Sequence, residues 1–390
     1  MANHSERDHA ILSPSSAKRW LNCPPSARLA EEIGSEDSVF AREGTFAHEL
    51  AEHALTLYLD GKYDIMEHFP IEECKQDNEF LSYEMIRYVS EYVDFVISEH
   101  YEMMRRTGKV NMLLESKVDI SKYAPDCFGS VDVQITSPTE IHIIDLKYGV
   151  GVKVYADYNP QMMLYALGCY ESMKPAERKK IQTVKMTIGQ CRLGHYDTFE
   201  MSISDLVNWG KMEVKARARL AFEGKGEFKC GNWCKFCPAK AVCRKQYENI
   251  VSDFERYEDP NIMTDAEIID MIGKLDDYKS WLESINKYVY DKALAGKKWE
   301  GYKLVEGRTT RKFTDTEAVE NKLYELEYKP EEILKPAELV SLTALEKLLG
   351  KRKFAATLGG YVTSSAGLPK LVPESAKGVE YNAISDFDVE

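Results

Sequence analysis

Three short stretches of this chain carry side chains whose types and spacing suit phosphodiester hydrolysis. Ile143-Ile144-Asp145-Leu146-Lys147 reads as an apolar strand ending in a carboxylate and an amine. Strand side chains alternate, so Asp145 and Lys147 share a face and Leu146 turns to the other. Asp132, in Gly129-Ser130-Val131-Asp132, lies on a second alternating segment just before it. Phosphodiester cleavage calls for a divalent ion on hard oxygen ligands, with an ammonium nearby to hold water or offset developing charge. Asp132, Asp145 and Lys147 supply those parts. Gln161 and Tyr165, four residues apart on an expected helix, share a face and can hydrogen-bond a phosphate or brace the lysine. His48, in Gly44-Thr45-Phe46-Ala47-His48, offers an imidazole as another metal ligand. Glu115 can reach the same place, but a structural role is the stronger expectation for it. Taken singly, an Asp-x-Lys is an ordinary surface ion pair and a helical histidine is ordinarily structural or solvated. The ordered set His, Gly-x-x-Asp, Asp-x-Lys, Gln-x-x-x-Tyr is far more demanding and favours a nuclease.

A second chemistry lies downstream. Cys230, Cys234, Cys237 and Cys243 fall within fourteen residues. Four thiols so close together, in a chain without a secretory signal, indicate a metal centre more than disulfides or a redox pair. Thiolate sets of this kind bind zinc or an iron–sulfur cluster. Spacing alone allows zinc on these four. A set using Cys23 with Cys234, Cys237 and Cys243 instead ties an N-terminal helix to the end of the domain. Cys74, Cys127, Cys169 and Cys191 are scattered and are expected to pack.

The elements that must position these residues are legible from periodicity. Ser13-Pro14-Ser15-Ser16 starts a helix through Trp20 and Leu21, stopped near Cys23-Pro24-Pro25. Helical spacing recurs from Glu43 to Leu59 and from about Asn78 to Arg106. Met112 to Val118 reads as a strand. Val131 to Ile135 and Ile141 to Leu146 alternate around Thr136-Ser137-Pro138-Thr139-Glu140, a hairpin signal. Pro160 opens a helix, Val184 to Ile188 is one more strand, and a charged helix runs from about Ser204 to Phe222. Thr264-Asp265-Ala266-Glu267 is a capping box. Behind it Ile268, Leu275, Leu282 and Val289 repeat every seven residues. We expect that helix to pack on its own domain in preference to forming a dimer zipper. Tyr302 to Val305 and Thr310 to Phe313 can pair, short helices follow near 314–326 and 342–349, and the tail from Gly367 reads as extended and acidic. The expected fold class is α/β, a mixed sheet flanked by helices. The domains divide at 1–250, closed by the Cys cluster, and 251–390, mainly helical.

The chain has 390 residues, 44% of them hydrophobic, enough for a large core, and a net charge of −13. That balance excludes a protein that coats nucleic acid by bulk charge and leaves room for a local basic groove. Lys211, Lys215, Arg217 and Arg219, Lys297-Lys298, and 308–312 are candidate contacts, though a solvated face is the better expectation for each. No apolar run is long enough to span a membrane, and the expected location is the cytosol.

The order Ser-Ser-x-x-x-Trp-x-x-Cys-Pro, Gly-x-x-x-His, Gly-x-x-Asp, Asp-x-Lys, Gln-x-x-x-Tyr, Cys-x-x-Cys-x5-Cys resembles the RecB-like PD-(D/E)XK nucleases, over roughly residues 13 to 245. It is most similar to their iron–sulfur branch, which includes CRISPR-associated RecB-like exonucleases, and to a set of phage and prophage proteins with this core. The resemblance implies a restriction-endonuclease-like core. It implies that His48, Asp132, Asp145 and the Leu146 carbonyl hold Mg²⁺ or Mn²⁺, that Lys147 is the catalytic lysine, and that Gln161 and Tyr165 line the site. It also implies a 4Fe–4S cluster on Cys23, Cys234, Cys237 and Cys243 that staples the domain, leaving Cys230 a bystander. The implied activity is a DNA exonuclease on single strands or ends, in phage replication or recombination within the bacterial cytoplasm. The alternative is a non-catalytic DNA-binding or scaffold protein of a phage replication complex with a structural Zn or Fe–S site.

Overall fold

The two alternating segments around Asp132 and Asp145 are adjacent antiparallel strands. The computed structural model describes residues 10–34, 39–63, 69–70, 78–255, 263–303 and Gly350. Its sheet runs in order β1 (Asn111–Asp119), β2 (Phe128–Thr136), β3 (Glu140–Leu146), β4 (Thr183–Gln190), β5 (His195–Ser202). Neighbours are antiparallel except β3 and β4, which are parallel. A parallel pair needs a crossover, and here it carries α5 (Pro160–Ser172) and the short α6 (Pro175–Arg178). β3 is buried along its whole length, as its near-continuous apolar sequence requires.

The pleat divides the core in two. Ile141 and Ile143 join α5, Met186 and Ile188 on one face, together with α1 (Ala17–Asn22), α7 (Ile203–Trp209) and α8 (Lys215–Glu223). Ile144 and Leu146 join α3 (Val39–Leu59) and α4 (Tyr83–Thr107) on the other. The result is a mixed α/β architecture, a five-stranded sheet flanked by helices and followed by a helical C-terminal region. α4 starts at Tyr83, later than its periodicity predicts, because the Ser82 hydroxyl accepts from Met85 N at 3.1 Å and fixes the cap. α7 and α8 are the single charged helix expected from 204 to 222, joined through a π-helical turn at Gly210–Val214. On α8, Arg217 donates to Leu21 O at 3.0 Å and Arg219 pairs with Glu223, so this basic run is an exposed face with internal partners.

The expected N-terminal turn closes on itself. Trp20 is fully buried and its indole N–H donates to Ser13 O at 3.1 Å. α2 (Ser26–Ile33) follows the Pro24-Pro25 stop and is clamped to α8, where Arg28 donates to Phe222 O at 2.6 Å and lies over the Phe222 ring. After the Cys segment come α9 (Arg244–Glu255) and α10 (Asp265–Leu294). The Thr264 capping box forms as expected. α10 meets α9 and the Cys segment through polar contacts, with Lys274 and Tyr278 reaching Asp253 at 2.9 and 3.0 Å and Lys240 reaching Ser280 at 2.8 Å, while the heptad residues Ile268, Leu275 and Leu282 stay exposed. Backbone contacts divide the chain into two compact units, Met1–Leu304 and Val305–Glu390. The expectations for 304–349 and the tail, for 308–312, and for Cys74 lie outside the described residues. Cys127, Cys169 and Cys191 are buried packing residues.

His142 sits at the centre of β3, fully buried, with Nε2 2.8 Å from Thr187 Oγ1. Burial, then the nearby charges of Lys185 and Arg106, hold its pKa well below the ordinary value. The unfolded chain takes up that proton near ~6.5, so His142 contributes stability above this pH that is lost as pH falls through it. We expect the urea midpoint to fall between about pH 7.5 and about 5.5, and the fall to shrink in His142→Gln. An equal fall in both proteins would contradict this assignment.

Candidate active site

The site lies where the C-terminal end of β3 meets the middles of β1 and β2, with α3 and α5 supplying the remaining side chains. Glu115 falls between the pairs Leu114–Val133 and Ser116–Val131, so it faces Asp132 across the strands. The next register step, beyond Val133–Ile144, sets Asp132 beside Asp145. Three carboxylates thus run in a row across β1, β2 and β3. Glu115 adopts φ 41°, the left-handed region that a non-glycine residue rarely takes. Strain of this kind concentrates at functional sites.

Gly129 explains the Gly-x-x-Asp spacing. A Cβ there would meet the Tyr165 ring at 3.1 Å and the Pro14 ring at 3.4 Å, so its bareness lets α5 and the N-terminal turn close over β2. α5 is aimed by its cap: the Asn159 side chain accepts from Gln161 N at 3.1 Å, and Pro160 takes the first helical position. That places Gln161 in the first turn, where its amide donates to Asp145 Oδ1 at 2.9 Å. Tyr165 follows one turn later, and its phenol stays protonated because of burial and then the charges of Asp145 and Asp132.

Two linked groups result. Asp145 is 2% exposed, and its Oδ2 meets Lys147 Nζ at 2.8 Å as an ion pair. Burial pushes the Asp145 pKa up, helped by Asp132 and opposed by Lys147. For Lys147, burial is outweighed by Asp145 and Asp132, and its pKa is raised. Asp132 Oδ2 accepts from Leu146 N at 2.7 Å and lies 3.2 Å from His48 Nδ1. Despite its burial, His48, Lys147 and the Leu146 N–H hold the Asp132 pKa below the usual range. His48 is raised against burial by Asp132 and Asp145. The Leu146 N–H thus braces Asp132.

His48, Glu115 and Asp132 each present a ligand atom, all within 4.8 Å of one another. They line a narrow cleft with Glu52, Tyr92 and Leu146. The buried Tyr92 hydroxyl has no partner among the described residues. A hydrated cation supplies what this cleft lacks, a charge for two carboxylates and a partner for the phenol, so the donor set fits a divalent ion. Every predicted site residue except the cysteines is brought to this one place. The residue undervalued from sequence is Glu115, whose part depends on register and on the local twist of β1.

Burial, then the charge of Asp132, raises the Glu115 pKa. An acid raised in this way costs the fold stability once pH exceeds its unfolded pKa, because it must ionise against its surroundings. We expect Glu115→Gln to raise the melting temperature of the metal-free protein and to weaken Mn²⁺ binding by about tenfold or more. A lower melting temperature with unchanged Mn²⁺ affinity would contradict a ligand role.

The cysteines form a separate site. Cys23, Cys230, Cys234, Cys237 and Cys243 all line one small cavity with Arg19 and Trp233. The fold therefore brings Cys23 to the downstream segment across the sequence, and it brings Cys230 as well. Burial raises the thiol pKa of Cys234 and Cys237, and that of Cys230 to about 12. Arg19 opposes this at Cys237. The buried Arg19 Nε has no partner among the described residues, so a cation faces the thiols and would suit a negatively charged thiolate centre. The set fits a metal centre in charge and ligand type.

Residues 9–378 match the family described as "Protein of unknown function (DUF2800)". Solved structures similar to this chain include that of SSO0001, at 10% identity, covering 62% of this chain and 89% of that one, with TM-score 0.27. A Eubacterium rectale protein named "Putative exonuclease" is 12% identical, covering 70% of this chain and 98% of its own, with TM-score 0.33. No helix among the described residues is long and apolar enough to cross a membrane.

Proposed function

We propose that this chain, which belongs to the DUF2800 family, is a metal-dependent DNA nuclease, with residues 1–250 as the nuclease module. The observation that carries the reading is the joining of two groups at Asp132 and Asp145. One is a His48–Glu115–Asp132 ligand set, and the other is a buried Asp145 paired with Lys147. The first set would hold a divalent ion, which when bound would polarise a phosphoryl oxygen and lower the pKa of bound water.

The chain's own residues divide the remaining work. Lys147 keeps its proton and presents a fixed cation at the strand end, where it offsets charge developing on the phosphate. Asp145 holds that cation in place, and Gln161 holds Asp145. Asp132 couples the halves, since its one oxygen meets both His48 and the Leu146 N–H. Asp145 and the Leu146 carbonyl complete the ligand set we assign. An imidazole in the donor set favours Mn²⁺ over Mg²⁺.

The resemblance to RecB-like enzymes favours an exonuclease on single strands or ends, with a part in phage replication or recombination in the bacterial cytoplasm. At the cysteine site we assign a 4Fe–4S cluster on Cys23, Cys234, Cys237 and Cys243, with Zn²⁺ as the alternative. Linear single-stranded DNA and a closed single-stranded circle, incubated with Mn²⁺, test the activity. The linear strand is degraded and the circle survives. Binding of both without cleavage of either would support the non-catalytic DNA-binding reading instead.

A further inference from the structure

The segment between Lys147 and Gln161 does more than connect β3 to α5. It exposes two aromatic side chains, Tyr155 at 57% and Tyr158 at 66%. Exposed rings on a loose loop would mean little, but this loop is pinned. Gln190 accepts from Val154 N at 2.7 Å and donates to Val152 O at 2.9 Å. Asp197 accepts from Ala156 N at 2.7 Å, and the Asn159 amide donates to Tyr155 O at 3.0 Å. His195 Nε2 lies 3.2 Å from Val154 O. The rings are braced too. Tyr155 meets His195 edge-on at 5.2 Å, and Tyr158 leans on Phe199 at 4.7 Å. Tyr158 takes φ 46°, a left-handed conformation costly for so bulky a residue.

The pinned rings point to the catalytic end by register. Asp145 pairs with Ile188, and Ile188 with Asp197. Strands lie about 4.8 Å apart, so the Asp197 backbone is roughly 10 Å from that of Asp145, on the same face. Phe199, two residues along β5, shares that face. Tyr158 is three residues from Gln161, at most about 11 Å between Cα atoms.

We infer that Tyr155 and Tyr158 form a stacking platform for unpaired bases, delivering a single nucleic-acid strand to Asp145 and Lys147. Only the strand's destination rests on the nuclease reading. Charge favours this occupant. The chain carries −13 overall, and the loop's own Lys153 and Asp157 cancel. Long-range attraction therefore cannot hold a polyanion here, and short-range stacking can, because every base has a π-face. A duplex hides those faces. Preorganised rings also lose little freedom on binding.

The test uses the full chain as Lys147→Ala, so that bound DNA survives, with a fluorescein-labelled oligo-dT strand and a duplex of equal length followed by anisotropy. Tyr155→Ala with Tyr158→Ala weakens single-strand binding by on the order of tenfold or more. Tyr155→Phe with Tyr158→Phe restores it, and duplex binding does not change. A strand carrying 5-iododeoxyuridine photocrosslinks to the peptide around 153–159 in the parent protein, a readout that needs no tyrosine variant to fold. Unchanged affinity in the alanine pair, equal loss on the duplex, no rescue by phenylalanine, or crosslinks confined elsewhere would each overturn the platform. Tyrosine-dependent binding by a protein that cuts nothing with Mn²⁺ would sink the nuclease reading and leave the platform standing. Cleavage by a protein whose strand affinity ignores both tyrosines would do the reverse.

Discussion

Lys147→Ala lowers the cleavage rate by about 10³-fold or more and leaves the folded protein in place. The backbone at Lys147 is held independently of its side chain, since Lys147 N donates to Gly189 O at 2.9 Å. Its amine makes one ion pair, to Asp145, and is partly open to solvent. Removing it strips that charge from Asp145, whose pKa burial already raises. Asp145 then takes up a proton and keeps the Gln161 hydrogen bond, so the fold avoids an unpaired buried charge. Substrate affinity falls far less than turnover, because the cation acts on charge that develops during reaction. Lys147→Arg keeps the charge but places a broader, planar group at the strand end and recovers little activity. Near-normal turnover in Lys147→Ala would show that the ion pair is only structural. Circular dichroism and single-turnover kinetics separate the two outcomes.

The second large effect belongs to the cysteines. Cys234→Ser with Cys237→Ser removes two adjacent thiols from a cavity that joins α1 to the segment before α9. Thiolate-bound structural metals contribute on the order of 10 kcal/mol to folding in small domains, so this loss exceeds that of an ordinary core truncation. We expect metal to be absent from the purified variant and proteolysis to begin near Cys23 and the downstream segment. Cys230→Ser, the bystander under this assignment, retains metal. Retention by the double variant, or loss from Cys230→Ser alone with Cys23→Ser unaffected, would redraw the ligand set. Iron and sulfide analysis of the wild-type protein distinguishes a brown iron–sulfur cluster from a single colourless zinc.

What could be read in advance divides along physical lines. Local periodicity carried β2 and β3, and their alternation placed Asp132 and Asp145 side by side, as the register confirms. Pro160 marked the start of α5 and hence the place of Gln161 in its first turn, while the Asn159 cap emerged only in the fold. The Thr264 box marked α10 to the residue. β5 escaped because it is a half-exposed edge strand whose polar residues dilute the apolar alternation. Gly194, left-handed at φ 56°, was its one strong turn signal. The short α2 went unread because it begins immediately after a proline pair that reads as a stop.

Long-range placement was harder. Nothing in the spacing of Leu114-Glu115-Ser116 shows that Glu115 faces Asp132, because that depends on a register set by the whole β1–β2 pair and on one left-handed residue. Spacing also left Cys23 and Cys230 as rivals, whereas the fold brings both thiols to one cavity. The heptad on α10 was legible, and its two edges meet different fates. Tyr278 faces α9, while Ile268, Leu275 and Leu282 stay exposed.

The most direct measurement is digestion of 5′- and 3′-end-labelled single-stranded DNA by wild-type protein and Asp132→Asn, each without metal, with Mg²⁺ and with Mn²⁺. Asp132 belongs to the ligand set and lies beside Asp145 of the Asp145–Lys147 pair. The proposed site therefore predicts stepwise shortening by the wild type with a divalent ion, faster with Mn²⁺, none without metal, and none from Asp132→Asn under any condition. Intact strands in every lane, or equal cutting by both proteins, would contradict it.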